Sequence, residues 1–157
     1  MAELRAVYQD LGHDDVKTYV QSGNVIFRAS NASARQIEDA IERAFGFRAA
    51  VILRTPAELR EAIAWNPFRD VDPARLLIWF LADDPGEAAR QQVRAIAAGA
   101  EEVHANGREL YIYYSNGMAR PKLSMAAVER ALKVTGTGRN WNTVTKLLGI
   151  AEAMERR

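Results

Sequence analysis

Apolar and polar positions alternate along the chain with periods that change from segment to segment. Leu4, Val7, Tyr8 and Leu11 recur at helical spacing, so the chain is predicted to open with a helix that Gly12 stops. Val16–Val20 and Val25–Arg28 are strand-forming runs joined across Ser22-Gly23, which predicts a hairpin. A second helix is predicted over Ser33–Phe45, with Ile37, Ile41, Ala44 and Phe45 on one face and Gly46 closing it. Phe47–Arg54 alternates too apolar for a surface loop and predicts a strand. The order helix, strand, strand, helix, strand is that of a split βαββαβ (ferredoxin-like) unit whose first strand is missing.

The later residues repeat the mixture. Thr55-Pro56-Ala57-Glu58 has the form of a capping box with proline at the first helical position. The helix it opens carries Leu59 and Ile63 and stops at Trp65-Asn66-Pro67-Phe68; Asp72-Pro73 marks a turn. Leu76–Ala82 is a continuous apolar run, predicted to be a strand buried on both faces. Asp84-Pro85-Gly86-Glu87 repeats the cap logic for a helix to about Ala98, ended by Gly99. Glu102–Ala105 and Arg108–Ser115 pair across Asn106-Gly107, with Leu110, Ile112 and Tyr114 on one side and Tyr111 and Tyr113 on the other. Ser124 caps a helix to about Lys133, Thr135-Gly136-Thr137-Gly138 reads as a loop, and Asn142 caps a last helix striped with Val144, Leu147, Leu148 and Ala151. The predicted class is α+β. A truncated ferredoxin-like lobe is expected over residues 1–55. Residues 56–157 are expected to form a second α/β lobe with a β-hairpin and C-terminal helices, packed with the first as one compact unit.

Composition narrows the function classes. With 157 residues, 48% hydrophobic and 26% charged, the chain has the make-up of a globular protein with a real core. The net charge of +1 supplies no overall field toward nucleic acid or an anionic membrane. No cysteine is present, which excludes disulfides, thiolate zinc sites, iron–sulfur clusters and cysteine nucleophiles. The opening MAELRAVYQDLG is no secretory signal, and Leu76–Ala82 is too short to span a bilayer. The expectation is a cytoplasmic protein with no membrane partner.

The familiar catalytic sets are lacking. His13 and His104 have no ligand-like spacing, and no serine sits in a Gly-x-Ser-x-Gly elbow. The acidic neighbours Asp14-Asp15, Asp83-Asp84 and Glu101-Glu102 fall at predicted element ends, where capping and solubility explain them. No metal or cofactor is expected, and no reaction is indicated. Tyr111, Tyr113 and Tyr114 lack the basic neighbours of a base-stacking strand, so sheet packing is the expected role.

Three polar stretches remain. The segment from Thr135 to Lys146 combines glycines with Arg139, Asn140, Asn142, Thr143 and Lys146 at a predicted helix start, where free N–H groups and cations suit a phosphate or carboxylate. Arg120 and Lys122 precede another capped helix. Gln21, Ser22 and Asn24 offer amides and a hydroxyl in the first hairpin loop. Each also has a plain structural use as cap, turn or solvated charge.

Tyr19-Val20-Gln21-Ser22-Gly23-Asn24-Val25-Ile26-Phe27, paired with the distant Arg139-Asn140-Trp141-Asn142-Thr143-Val144, resembles a widespread bacterial family known as domain of unknown function 1697. The resemblance takes in Asn66-Pro67-Phe68 and Arg120-Pro121-Lys122-Leu123 and covers essentially the whole chain. It implies an α+β protein with a ferredoxin-like N-terminal half. Family members usually have a strand and a glycine-containing loop ahead of the helix that starts here at Ala2, and often a small residue where Pro121 stands. No activity comes with it. The resemblance raises both end motifs above turn and cap, and the leading expectation is a site for a small phosphate- or carboxylate-bearing ligand. Arg139 and Lys146 would meet the charge, helix-start amides the oxygens, and Gln21, Ser22 and Asn24 the polar edge. The alternative is a non-enzymatic module binding nucleic acid or protein through its sheet and basic loops.

Overall fold

The computed structural model describes residues 2–19, 23–96, 101–114 and 125–156. Helices and two antiparallel sheets are mixed along the chain, which is the α+β class. The chain divides into two units, Met1–Leu53 with Leu147–Arg157, and Arg54–Lys146.

In the first unit, α1 (Ala2–Asp10) and α2 (Ala34–Phe45) accompany a hairpin of β1 (Asp14–Tyr19) and β2 (Asn24–Arg28). Val7, Tyr8, Val16, Ile37 and Ile41 form its buried core, with Val25 and Phe27 packed against them. Desolvation there pushes the Tyr8 hydroxyl up to about 12. The predicted stops hold: the turn after α1 has Gly12 at φ 88°, and Gly46 at φ 78° ends α2 by donating its N–H to Glu42 O at 2.9 Å. At the other end of α2, Ser33 Oγ accepts from Gln36 N.

The strand expected over Phe47–Arg54 does not form. Ala49, Val51 and Leu53 do pack on the core, which accounts for the apolar alternation. However, the Val51 N–H donates to Glu38 Oε2 at 2.8 Å, so a carboxylate takes the place of a strand neighbour. Arg48 is tied alongside by Asp39 at 2.8 Å. Among the described residues the N-terminal sheet therefore has two strands, β1 and β2, and lacks the split βαββαβ order expected of it.

That order lies in the second unit instead. After α3 (Pro56–Trp65) and a 3₁₀ turn (Pro73–Arg75), the chain runs β3 (Leu76–Leu81), α4 (Glu87–Ile96), β4 (Glu101–Asn106), β5 (Glu109–Tyr114), α5 (Met125–Leu132), β6 (Gly136–Asn140) and α6 (Trp141–Glu155). The sheet order is β4-β5-β3-β6 with every neighbour antiparallel. From β3 to β6 this is strand, helix, strand, strand, helix, strand.

Of the loop expected at Thr135–Gly138, residues 136–138 are the start of β6. Glycines have low strand propensity, which is why the run read as a loop. Here their missing side chains are the reason the strand fits. β6 pairs with β3 with Trp79 opposite Gly138 and Leu81 opposite Gly136. A Cβ on Gly136 would stand 2.2 Å from Trp79 Nε1, and one on Gly138 2.6 Å from Trp79 Cε3. The indole lies across both glycines.

The two faces of this sheet follow from β5. Leu110, Ile112 and Tyr114 join Val93 of α4 and Val128 and Leu132 of α5 in one core. Tyr111 and Tyr113 face the other way, as predicted: Tyr111 is fully buried, its ring 5.1 Å from Trp65 and its hydroxyl donating to Ala62 O. Ala62 O is one of the last carbonyls of α3, left open by the Asn66 N–H, which goes to Ile63 O. Tyr111→Phe is therefore expected to cost about 1–2 kcal/mol by stranding that carbonyl, read from urea unfolding. β3 is covered on both sides but unequally, with Leu76, Ile78 and Phe80 buried and Leu77 and Trp79 half-buried.

Local signals set the remaining boundaries. Thr55 Oγ1 accepts from Glu58 N at 3.1 Å and Glu58 Oε1 from Thr55 N at 2.8 Å, the predicted capping box. At Asp84 the cap logic is different: Asp84 Oδ1 accepts from Gly86 N, and the helix starts only at Glu87. In the β4–β5 hairpin Asn106 pairs with Glu109, so Gly107-Arg108 form the turn, one residue later than Asn106-Gly107. Gly107 at φ 54° takes the first central position, as glycine does in a II′ turn. Lys133, just past α5, has φ 59°. Lys133→Gly is expected to raise stability by about 1 kcal/mol by relieving left-handed strain, visible as a higher urea midpoint.

Candidate functional site

The cap of α6 is two residues earlier than the sequence suggested: Asn140, not Asn142. Asn140 Oδ1 accepts from Asn142 N at 2.9 Å, while Asn140 Nδ2 donates to Ala74 O at 3.1 Å. Asn140 thus caps the helix and fastens its start to the 3₁₀ turn. Asn142 is exposed inside the first turn, and its carbonyl accepts from Thr145 Oγ1 at 3.1 Å. Thr143 is half-buried and Lys146 exposed.

Arg139 sits on β6 opposite Ile78. Its Nη1 donates to Thr137 Oγ1 at 2.6 Å and Gly138 O at 2.8 Å, so part of the guanidinium is folded back on its own strand. Burial holds its pKa below the ordinary arginine value. Asn24 is 7% exposed and donates to Tyr19 O at 3.1 Å, bridging the pair of residues that ends the β1–β2 ladder. Gln21, Ser22, Arg120 and Lys122 lie outside the described residues.

What the start of α6 borders is a cleft of about 570 Å³ within the second unit. Asn66, Phe68, Arg69, Asp70, Val71 and Trp141 line it, with Pro73 and Leu76. The volume is that of a small-molecule pocket. Its walls are fixed by short-range bonds. Asn66 Oδ1 accepts from Phe68 N at 3.1 Å across Pro67, and Asp72 Oδ1 accepts from Ala74 N at 3.0 Å. Phe68 is buried with its ring 5.1 Å from His104 and 5.7 Å from Tyr113.

The polar groups of the cleft are not consumed by those bonds. Arg69 and Asp70 are exposed and make no hydrogen bond or ion pair among the described residues. The Asn66 amide uses its oxygen and leaves Nδ2 to donate. Asp70 holds a left-handed backbone at φ 56°, a conformation that costs a non-glycine residue energy. A cation, a carboxylate, an amide donor and an indole face one space. In the sequence, Asn66-Pro67-Phe68 reads as a helix stop and Asp72-Pro73 as a turn; the signal for the cleft is Arg69-Asp70 between the two prolines.

A different cleft, about 430 Å³, brings Glu58, Glu61, Asp84 and Glu109 around Arg108. Arg108 pairs with Glu58 at 2.7 Å, Arg90 with Asp84 at 2.6 Å and Arg54 with Glu109 at 2.9 Å, so three of those carboxylates are already neutralised. The Thr55 N–H, helped by Arg108, holds the Glu58 carboxyl below the usual carboxylate range. Among the described residues no group of three or more His, Asp or Glu could hold a metal ion, and no helix is long and apolar enough to cross a membrane.

The family model described as "Protein of unknown function (DUF1697)" matches residues 1–111. That span includes the first hairpin and Asn66-Pro67-Phe68; Arg139–Val144 lies beyond it. The chain is similar in structure to the conserved bacterial protein SP0830 from Streptococcus pneumoniae, at TM-score 0.68 and 21% identity, over 97% of this chain and 88% of that one. At that identity the likeness concerns the fold. No curated protein matches the chain.

Proposed function

The chain belongs to the DUF1697 family, and from that premise we propose that the cleft beside α6 binds a small ligand bearing a phosphate or carboxylate. The supporting observation is Arg69, an exposed guanidinium without an acidic partner among the described residues, at the rim of a cleft about 570 Å³ in volume. A guanidinium presents a planar fork that suits a carboxylate or phosphate, and a charged hydrogen bond of this kind is stronger than a neutral one. Asn66 Nδ2 supplies a second donor from the same wall. The positive end of α6 adds to it, since Trp141, the first residue of that helix, lines the cleft. Asp70 selects among anions: beside Arg69 it disfavours a bare multivalent ion and favours a ligand that also carries an N–H or O–H donor.

Calorimetric titration with sugar phosphates and small hydroxy acids at low salt tests the reading. Arg69→Ala is expected to weaken binding about ten- to a hundredfold, the loss of one charged hydrogen bond of about 1.5–3 kcal/mol. Arg130→Ala removes the same charge from an exposed position on α5 and should leave binding unchanged. Equal affinity in wild type and Arg69→Ala would overturn the anion reading.

A further inference from the structure

The cleft holds more apolar surface than an anion needs. Resting on the anion reading above, we infer that its ligand is a mononucleotide, with the base lying on Trp141 and the phosphate toward Arg69. Most rings of the second unit are already occupied. Among the described aromatics of the second unit, Trp65 and Tyr111 face one another at 5.1 Å, Phe68 meets His104 and Tyr113, and Phe80 lies under Arg54 at 5.5 Å. Tyr114 is packed in the core and Trp79 lies on Gly136 and Gly138. Trp141 has no ring or cation partner and no hydrogen bond to its indole N–H among the described residues, is only half-buried, and lines the cleft. An indole face in a pocket is a platform for a planar ring, and stacking of a base on an aromatic side chain is a substantial, sequence-tolerant interaction.

The polar lining fits the edge of such a ring. Asn66 Nδ2 donates and the Asp70 carboxylate accepts. A base such as adenine places a ring nitrogen acceptor next to an amino donor, the complement of that pair. Val71, Pro73 and Leu76 complete an apolar wall that a ring can cover and a sugar phosphate alone leaves wet. Arg69 then remains for the phosphate.

Titrating AMP and ribose 5-phosphate into the full chain and three variants decides it. In wild type AMP should bind about tenfold or more tightly than ribose 5-phosphate, the contribution of one stacked base. Trp141→Leu keeps apolar bulk without a π face and should bring AMP down to the ribose 5-phosphate level while leaving the latter unchanged. Trp141→Phe should keep most of the preference. Arg69→Ala should weaken both ligands together. Equal affinities in wild type, no binding of either ligand, or a Trp141→Leu loss shared by both ligands overturns the nucleotide inference. A preserved preference for AMP with both affinities untouched by Arg69→Ala would keep the base platform and overturn the anion reading.

Discussion

Gly136→Ala is expected to destabilise the protein by about 3 kcal/mol or more, an unusually large effect for adding one methyl group. The added Cβ would lie 2.2 Å from Trp79 Nε1 and 2.9 Å from both Cδ1 and Cε2, well inside contact distance. The indole cannot slide along the strand to make room. Gly138 lies beneath its other ring, where a Cβ would stand 2.6 Å from Cε3 and 2.9 Å from Cζ3. Moving the ring outward would strip it from the core on which it packs. Alanine otherwise suits a strand better than glycine, so the sign of the effect depends on Trp79. In a Trp79→Leu background Gly136→Ala should cost close to nothing, and the cycle should show a coupling of about 2 kcal/mol or more. Urea unfolding of the four proteins measures it. If Gly136→Ala costs as much without the indole as with it, the strand is not shaped by Trp79.

The same two glycines show where the sequence was legible. Helices announced themselves because their signals are local: Thr55 and Glu58 lie within one turn, and Gly46 follows the last residue of α2. The hairpin of β4 and β5 was legible for the same reason. Strand β6 was not, because its cause is a tryptophan on another strand, far away in sequence and opposite only after the sheet forms. Residues 47–54 failed in the reverse direction. Their alternation marks burial on the core, but strand pairing needs a neighbour, and Val51 finds Glu38 instead. The helix–strand–strand–helix order was thus read correctly at the N-terminus and assigned a sheet it does not build.

The cleft was half legible. Asn140, Trp141 and Asn142 drew notice as a motif, and the cleft does border their helix. What remained hidden was the division of labour among them. Asn140 is taken up by capping and by Ala74, and Arg139 has donors committed to Thr137 and Gly138. Side chains at a helix start serve the helix first, since its free N–H groups are the nearest acceptor-seeking groups. The cation with uncommitted donors, Arg69, comes from a loop with no periodicity to mark it.

A large effect is also expected from Arg54→Met, about 3–5 kcal/mol, because it breaks a buried ion pair from one side. Arg54 Nη2 lies 2.9 Å from Glu109 Oε2, with the two side chains only 7% and 15% exposed. The same nitrogen donates to Leu81 O at 2.8 Å and Arg108 O at 3.2 Å, and the guanidinium stands over the Phe80 ring. Methionine fills part of the volume but leaves the Glu109 carboxylate desolvated without its cation, and both carbonyls lose a donor. Removing the charge from both partners changes the balance. Arg54→Met with Glu109→Leu should recover most of the loss, because taking two ions out of water opposes much of what their attraction returns. Arg108 and Glu58 provide the contrast on the same unit: they pair at 2.7 Å but are 36% and 41% exposed. Arg108→Ala should therefore cost less than about 1 kcal/mol. Thermal and urea unfolding separate these outcomes. A small effect of Arg54→Met, comparable with that of Arg108→Ala, would mean that water reaches Glu109 and that the pair does not anchor Arg54 to the sheet.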